Sequence, residues 1–383
     1  MRRTIYSADH AMFGATVRKF FEAEVVPEFA AWEERGAPPP EFYRRAGDLG
    51  IPGLQIPEEY GGGGQQSFLF NAIVTEEAFR ACVGLGSLRV HMDIVLPYLM
   101  HYATDEQKQR WLPGAARGEL MTAIAMTEPS TGSDLAGIRT TATREGDSYV
   151  LNGAKTFITG GANASLVLVV ARTGVPTPQD RRGGLSIVVV EKGMPGFTVG
   201  KNLKKLGLKA QDTTELFFDN VEVPVDNLLG EEGRAFEYLM HNLAQERLTI
   251  AVAAIASART AVSLTVEYVK QRDVFGKQLA TFQNTKFVLA GCAAKLDAGQ
   301  AVIDQSLRAL DAGELTVPDA AKAKLFTTEV QGTILDECLQ LFGGYGYMLD
   351  YPISRLYADA RVTRIYGGTS EVIKTIIAKD LGL

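Results

Sequence analysis

Hydrophobic positions change their spacing twice along this chain. Over residues 8–117 they recur at helical intervals. Phe13, Val17, Phe20, Phe21 and Val25 follow an i, i+4, i+7, i+8 pattern that lays one apolar face along a helix. Pro38-Pro39-Pro40 ends one helical segment, and Gly61 to Gly64 forms a loop. Thr104-Asp105-Glu106-Gln107 reads as a helix start, with a threonine cap and a glutamine three residues on. Over 119–226 the spacing shortens. Residues 140–144, 148–151, 166–170, 185–190 and 214–218 are short runs rich in β-branched and aromatic side chains. Gly146-Asp147, Asn152-Gly153, Gly183-Gly184 and Asp219-Asn220 punctuate them as turns. Strands this closely spaced predict antiparallel sheet curled into a small barrel or sandwich.

From about Glu231 the helical period returns. Ala251, Ala253, Ala254, Ala256, Ala258 and Ala261 crowd the stretch 236–270, and side chains this small let helices approach closely. Two more long helices are expected over 285–312 and 318–341. The chain therefore reads as α+β: an all-α domain over 1–118, a β domain over 119–228 and a helical bundle over 229–383.

Its 383 residues, 46% hydrophobic and 22% charged, are ordinary for two or three globular domains. A net charge of -6 argues against nucleic acid, whose phosphates reward a positive surface. Cys82, Cys292 and Cys338 are scattered, which favours reduced cytosolic thiols. With no HExxH spacing among four histidines, no metal site is expected. The N-terminal MRRTIYSADHAMF lacks the apolar run of a leader, and the most apolar stretch, 248–256, is too short to span a bilayer. A soluble, cytoplasmic protein is expected.

Five motifs carry candidate chemistry. The turn over 126–134 could offer N–H groups to a pyrophosphate, although its residues suit any tight turn. Phe157 and Thr159 could flank a flat ring at a strand end. Arg272, before the glycine turn at Gly276, suits a phosphate or simply ends a helix. Gly343, Gly344 and Gly346 permit close backbone approach to a ligand. Thr369 or Ser370 caps a last helix with Glu371 in its first turn. No strand–GxGxxG–helix unit is present, so a dinucleotide-binding α/β domain is not indicated.

In this order, TEPSTGSD, NGAKTFITGG, LGLKAQDTTELFFDNVEVP, QERL, YVKQRDVFGK, QLFGGYGY and IYGGTSEV resemble the acyl-CoA dehydrogenase family over about residues 18–381. The resemblance implies the family's three-part fold, ending in a four-helix bundle, and FAD as cofactor. It places Ile124, Met126, Thr127, Gly132 and Ser133 along the isoalloxazine and pyrophosphate. Phe157, Ile158 and Thr159 fall beside flavin N5, and Thr369 and Glu371 near the adenine diphosphate. Arg272, Gln283, Gln340, Gly343 and Gly344 would reach FAD across a dimer interface in a homotetramer, a dimer of dimers. Ser133 would also meet the CoA thioester arm. An acyl-CoA or acyl-carrier-protein substrate and an electron-transfer flavoprotein as acceptor are implied.

The resemblance also implies α,β-dehydrogenation, and here one position departs from the commoner pattern. Many relatives read Tyr-Glu-Gly-Thr at the last motif, where the glutamate is the base. This chain reads Tyr366-Gly367-Gly368-Thr369. Gly367 keeps an N–H for the thioester oxygen, with Gly368 beside it, but supplies no base. The long-chain and isovaleryl-CoA subset carries its base in a Glu-Arg pair on an earlier helix, and Glu246-Arg247 matches that pair. Glu246 is thus the expected base and Arg247 its substrate-side neighbour. An oxygen-reducing oxidase and a non-catalytic flavoprotein are the competing readings, and Glu246 argues against the second. Pro97 should open its helix at the end of the acyl pocket, which favours medium, long or branched chains over butyryl.

Overall fold

A computed structural model describes residues 3–177 and 180–383. Of the segment read above as lacking a leader, Met1 and Arg2 lie outside the described residues. The N-terminal part is helical: α1 (Ala8–Phe20), α2 (Phe29–Arg35), α3 (Pro40–Asp48), α4 (Leu69–Arg80), α5 (Gly86–Arg89), α6 (Leu96–Tyr102) and α7 (Asp105–Ala116). The α7 cap is the one expected. Thr104 Oγ1 accepts from Gln107 N at 3.2 Å, and Gln107 Oε1 accepts from Thr104 N at 3.0 Å. Between α5 and α6 the helix widens into a π-turn, Val90–Val95, immediately before Pro97. This is the opening expected of a proline that lacks its N–H.

The middle of the chain forms one eight-stranded sheet: β1 (Thr122–Ala125), β2 (Thr141–Glu145), β3 (Ser148–Thr159), β4 (Leu166–Arg172), β5 (Leu185–Glu191), β6 (Phe197–Asn202), β7 (Thr213–Pro224) and β8 (Leu228–Leu229). Its order is β6-β7-β3-β2-β4-β5-β8, antiparallel except where β2 meets β4, with β1 added parallel to β4. The apolar run of β4 follows from burial on both faces. Leu166, Leu168 and Val170 face the N-terminal helices, while Val167, Val169 and Ala171 face the interior of the curled sheet.

Two of the expected turns are not turns. Asn152-Gly153 lies inside β3, opposite Asp219-Asn220 inside β7, where the register shifts between Leu151 and Gly153. The two asparagines bond each other, Asn220 N donating to Asn152 Oδ1 at 2.9 Å. A Cβ at Gly153 would sit 2.5 Å from Thr140 Oγ1. The pair is a β-bulge made where a third strand crowds in.

The C-terminal part holds α8 (Ala235–Gln271), α9 (Gln283–Asp311), α10 (Val317–Leu341), α11 (Pro352–Ala360) and α12 (Ser370–Asp380). Helices α8 to α11 share one core, including Leu248, Ile255, Leu296, Ile334 and Leu356. Leu69, Ala72 and Phe79 of α4 complete it. Helix α8 is the one helix among the described residues apolar and long enough to cross a membrane, but 67% of that window is buried inside the protein.

Candidate active site

Glu246 sits in the first third of α8 and is 5% exposed. Tyr98, on α6, donates its hydroxyl to Glu246 Oε1 at 2.8 Å. Burial pushes the carboxyl up to about 7, against the opposing pull of Tyr98 and Arg247. A carboxylate poised near neutrality in a dry site has the proton affinity a general base needs.

Arg247 is also buried, and its Nε and Nη1 find no hydrogen-bond partner among the described residues. A buried guanidinium with two unpartnered nitrogens is costly and marks a place where something else is to bind. Lys324 of α10 lies close by, fully buried. Burial and the nearby Arg247 hold it down to about 8, and its Nζ donates to Gly368 O. The Gly367-Gly368 turn is thus held by the buried Lys324, with Arg247 near enough to Lys324 to act on its charge. Both glycines have positive φ, +64° and +97°. A Cβ at Gly367 would lie 2.4 Å from Ile250 Cδ1, one helical turn after Glu246. The space beside Gly367 is therefore taken by Ile250, not by the Glu246 carboxylate.

The second group of expected residues gathers at the sheet edge. Ile124 lies in β1, and Met126 and Thr127 follow it directly. Ile124, Met126, Val90 and Ile94 all pack against the buried cluster that contains Tyr98. The loop after β1 is tied down by a buried ion pair. Lys155 Nζ donates to Glu128 Oε1 at 2.9 Å and to Met126 O at 3.1 Å, while Arg139 N and Thr140 N donate to the other sides of the Glu128 carboxylate. Burial would raise Glu128, but Lys155 and Thr140 outweigh it and hold the group ionised. Gly132 and Ser133 are exposed at the loop tip. Phe157 is 66% exposed and has φ +60°, a left-handed conformation that a bulky side chain adopts only under constraint. The Ile158 side chain is 2% exposed and belongs to the sheet interior, which leaves its backbone for any contact at that strand end. Thr159 accepts a hydrogen bond from Gln211.

The third group is a groove of about 620 Å³ on the bundle surface, lined by Arg272, Gln340, Gly343 and Gly344 with Tyr268, Phe275 and Tyr345. Arg272 lies 5.6 Å over the Tyr345 ring. Cβ atoms at Gly343 and Gly344 would meet nothing, so the backbone is open to a ligand. Gln283 is exposed at the start of α9 and does not line this groove. Thr369 caps α12, its Oγ1 accepting from Val372 N, and Glu371 is exposed in the first turn, held low by its own backbone N–H and Thr369. Ser370 bonds Glu329 instead. Neither Glu128 nor Glu371 is free to serve as a buried base. Tyr98, Lys155 and Lys324 were not singled out from sequence, because each looks like an ordinary helix or strand residue until burial is known.

An exposed aromatic held in strained geometry beside an open loop, together with an arginine-lined groove, fits a flat ring system and a diphosphate. A buried carboxylate near neutrality fits proton abstraction next to that ring. These features agree with the class that the sequence motifs resemble, a flavin-dependent oxidoreductase of acyl thioesters. Comparison with known proteins makes it specific. Models of the acyl-CoA dehydrogenase N-terminal, middle and C-terminal domains match residues 7–119, 123–221 and 233–382. The chain is 44% identical over 381 residues to the mitochondrial long-chain specific acyl-CoA dehydrogenase of Mus musculus, covering 99% of this chain and 88% of that one. It superposes on the acyl-CoA dehydrogenase from Geobacillus kaustophilus with TM-score 0.96 at 46% identity over 99% of both chains. For a glutaryl-CoA dehydrogenase from Mycobacterium smegmatis in complex with FADH2, the TM-score is 0.89 at 30% identity, covering 98% of this chain and 95% of that one. The chain belongs to the acyl-CoA dehydrogenase family, and it is an FAD-dependent oxidoreductase acting on acyl-CoA.

Proposed function

We propose that this enzyme oxidises long-chain acyl-CoA to trans-2-enoyl-CoA with Glu246 as the base that takes the α-proton. The observation that carries the proposal is a buried carboxylate raised to about 7, one helical turn from the Ile250 side chain that abuts Gly367. FAD, when bound, accepts the β-hydrogen as a two-electron carrier. The chain's own groups do the rest. Backbone N–H groups of Gly367 and Gly368 orient the thioester oxygen, and the buried charges of Arg247 and Lys324 favour the negative charge that develops there. Ser133 meets the thioester arm.

Ile124, Met126, Thr127, Gly132, Phe157, Ile158 and Thr159 hold the ring end of FAD. Arg272, Gln283, Gln340, Gly343 and Gly344 hold FAD from a second copy, with Thr369 and Glu371 nearby. The groove that holds Arg272, Gln340, Gly343 and Gly344 includes none of the ring-end residues, which supports this, and a homotetramer built as a dimer of dimers would complete the site. An electron-transfer flavoprotein takes the electrons onward, and the enzyme works in the cytoplasm. The chain-length reading is supported by the similarity to a long-chain specific relative and by the helix opened before Pro97. Anaerobic titration of the yellow protein with saturated acyl-CoAs should bleach the flavin faster with 12 to 16 carbons than with four. Faster bleaching with butyryl-CoA would overturn the chain-length assignment.

A further inference from the structure

Pro97 has no N–H to give to the carbonyl four residues earlier, which belongs to Asp93. The helical run opens there into the π-turn, and Asp93 O accepts from Gln245 Nε2 at 2.8 Å. The next residue of α8, Glu246, accepts at Oε1 from the hydroxyl of Tyr98, the residue after Pro97, at 2.8 Å. Two neighbouring positions of α8 are thus pinned to two positions around Pro97. The Asp93 side chain takes no part at Glu246: Asn71 and Thr249 donate to it. Tyr98 is itself completely buried, with Tyr102 beside it.

We propose that Tyr98 is a positioning residue for the dehydrogenation, aiming the Glu246 carboxylate and stabilising its charged form. This rests on the reading of Glu246 as the base. The terminal torsion of a glutamate is soft, so a lone carboxylate in a dry site would turn freely. A hydroxyl donating to one oxygen fixes the plane and leaves the other oxygen to face the α-proton. The same bond favours the anion and offsets part of the burial that opposes it. The charged and titratable groups around Glu246 are few. Arg247 adjoins it on α8, with Lys324 of α10 beyond Arg247, and Tyr98 with Tyr102 faces it from α6. Among them only Tyr98 makes a hydrogen bond to it.

The test is the rate of anaerobic single-turnover flavin reduction, followed from about pH 5.5 to 9, for FAD-loaded parent, Tyr98→Phe and Glu246→Gln. Tyr98→Phe should move the midpoint of the pH profile up by about one unit, which lowers the rate about tenfold on the acid side and much less at high pH. Substrate KM should stay near the parent value. Replacing Tyr98 by 3-fluorotyrosine, a stronger donor of the same shape, should move the midpoint down, and it serves if the phenylalanine variant does not fold. An unchanged midpoint in both, whatever happens to melting temperature, would show that Tyr98 only fills space. Glu246→Gln reducing flavin at the parent rate would instead remove the base reading itself.

Discussion

Moving the base from α8 to the turn at Gly367 tests the geometry of the site hardest. Glu246→Thr removes one carboxylate and Gly367→Glu supplies another, yet position 367 resists it twice. Its φ of +64° costs a side-chain-bearing residue about 1–2 kcal/mol. The new Cβ would stand 2.4 Å from Ile250 Cδ1, and overpacking of that kind costs about 1–3 kcal/mol. Ile250→Val removes that methyl and leaves Cγ1 3.9 Å away, at about 0.5–1.5 kcal/mol for the lost burial. Three variants follow, each read by anaerobic stopped-flow flavin reduction and by thermal unfolding. Glu246→Thr alone should lose about 10²–10⁴-fold in reduction rate. Adding Gly367→Glu should lower the melting temperature and recover little. Adding Ile250→Val as well should recover at least about tenfold over that double variant, a small part of what a general base contributes. Equal recovery with and without Ile250→Val would refute the clash. No recovery in an FAD-loaded triple variant would refute relocation of the base.

Two further outcomes concern stability. Lys155→Met leaves the Glu128 carboxylate buried with backbone donors only, and breaking such a pair costs about 3–5 kcal/mol. Melting temperature and flavin content should both fall, with partial rescue by Glu128→Gln, whereas unchanged melting would show the pair to be dispensable. Glu246 acts in the opposite sense. Burial raises it from 4.5 to about 7, so the folded chain holds a proton that the unfolded chain releases. The stability tied to that proton is present below about pH 4.5 and lost as pH rises through about 7, by up to about 3 kcal/mol. Glu246→Gln should therefore melt above the parent at pH 8, with a margin that shrinks toward pH 5, and calorimetry across that range would reveal a flat difference if the carboxylate is not strained.

Much of the fold was legible because period and punctuation are local. Thr104 and Gln107 cap their helix as their spacing predicts, and α10 begins within one residue of its expected start. What failed was equally local. Asn152-Gly153 has the composition of a hairpin turn, but a bulge asks for the same conformational freedom, and only the crowding by Thr140 tells them apart. Strand β1 escaped notice because four residues, two of them alanine, carry almost no periodic signal, although Ile124 lies on it. At the site, Glu246 and Arg247 could be named by resemblance. Their environment could not, since a buried tyrosine 148 positions away and a lysine whose partner is a glycine carbonyl leave no mark on sequence spacing. Nor does the sequence show that the register shift between Lys155 and Ile158 accompanies an exposed Phe157 and a buried Ile158.

The role of Glu246 is tested most directly by one measurement, the anaerobic single-turnover bleaching of FAD-loaded Glu246→Gln by a saturated long-chain acyl-CoA. Glu128→Gln and Glu371→Gln are the comparators. Glutamine keeps the shape and the bond from Tyr98 but cannot take the proton. Bleaching should slow by about 10²–10⁴-fold or more while acyl-CoA still binds, and Glu371→Gln should stay near the parent rate. Bleaching of Glu246→Gln within a few-fold of the parent would mean that the α-proton leaves to another group.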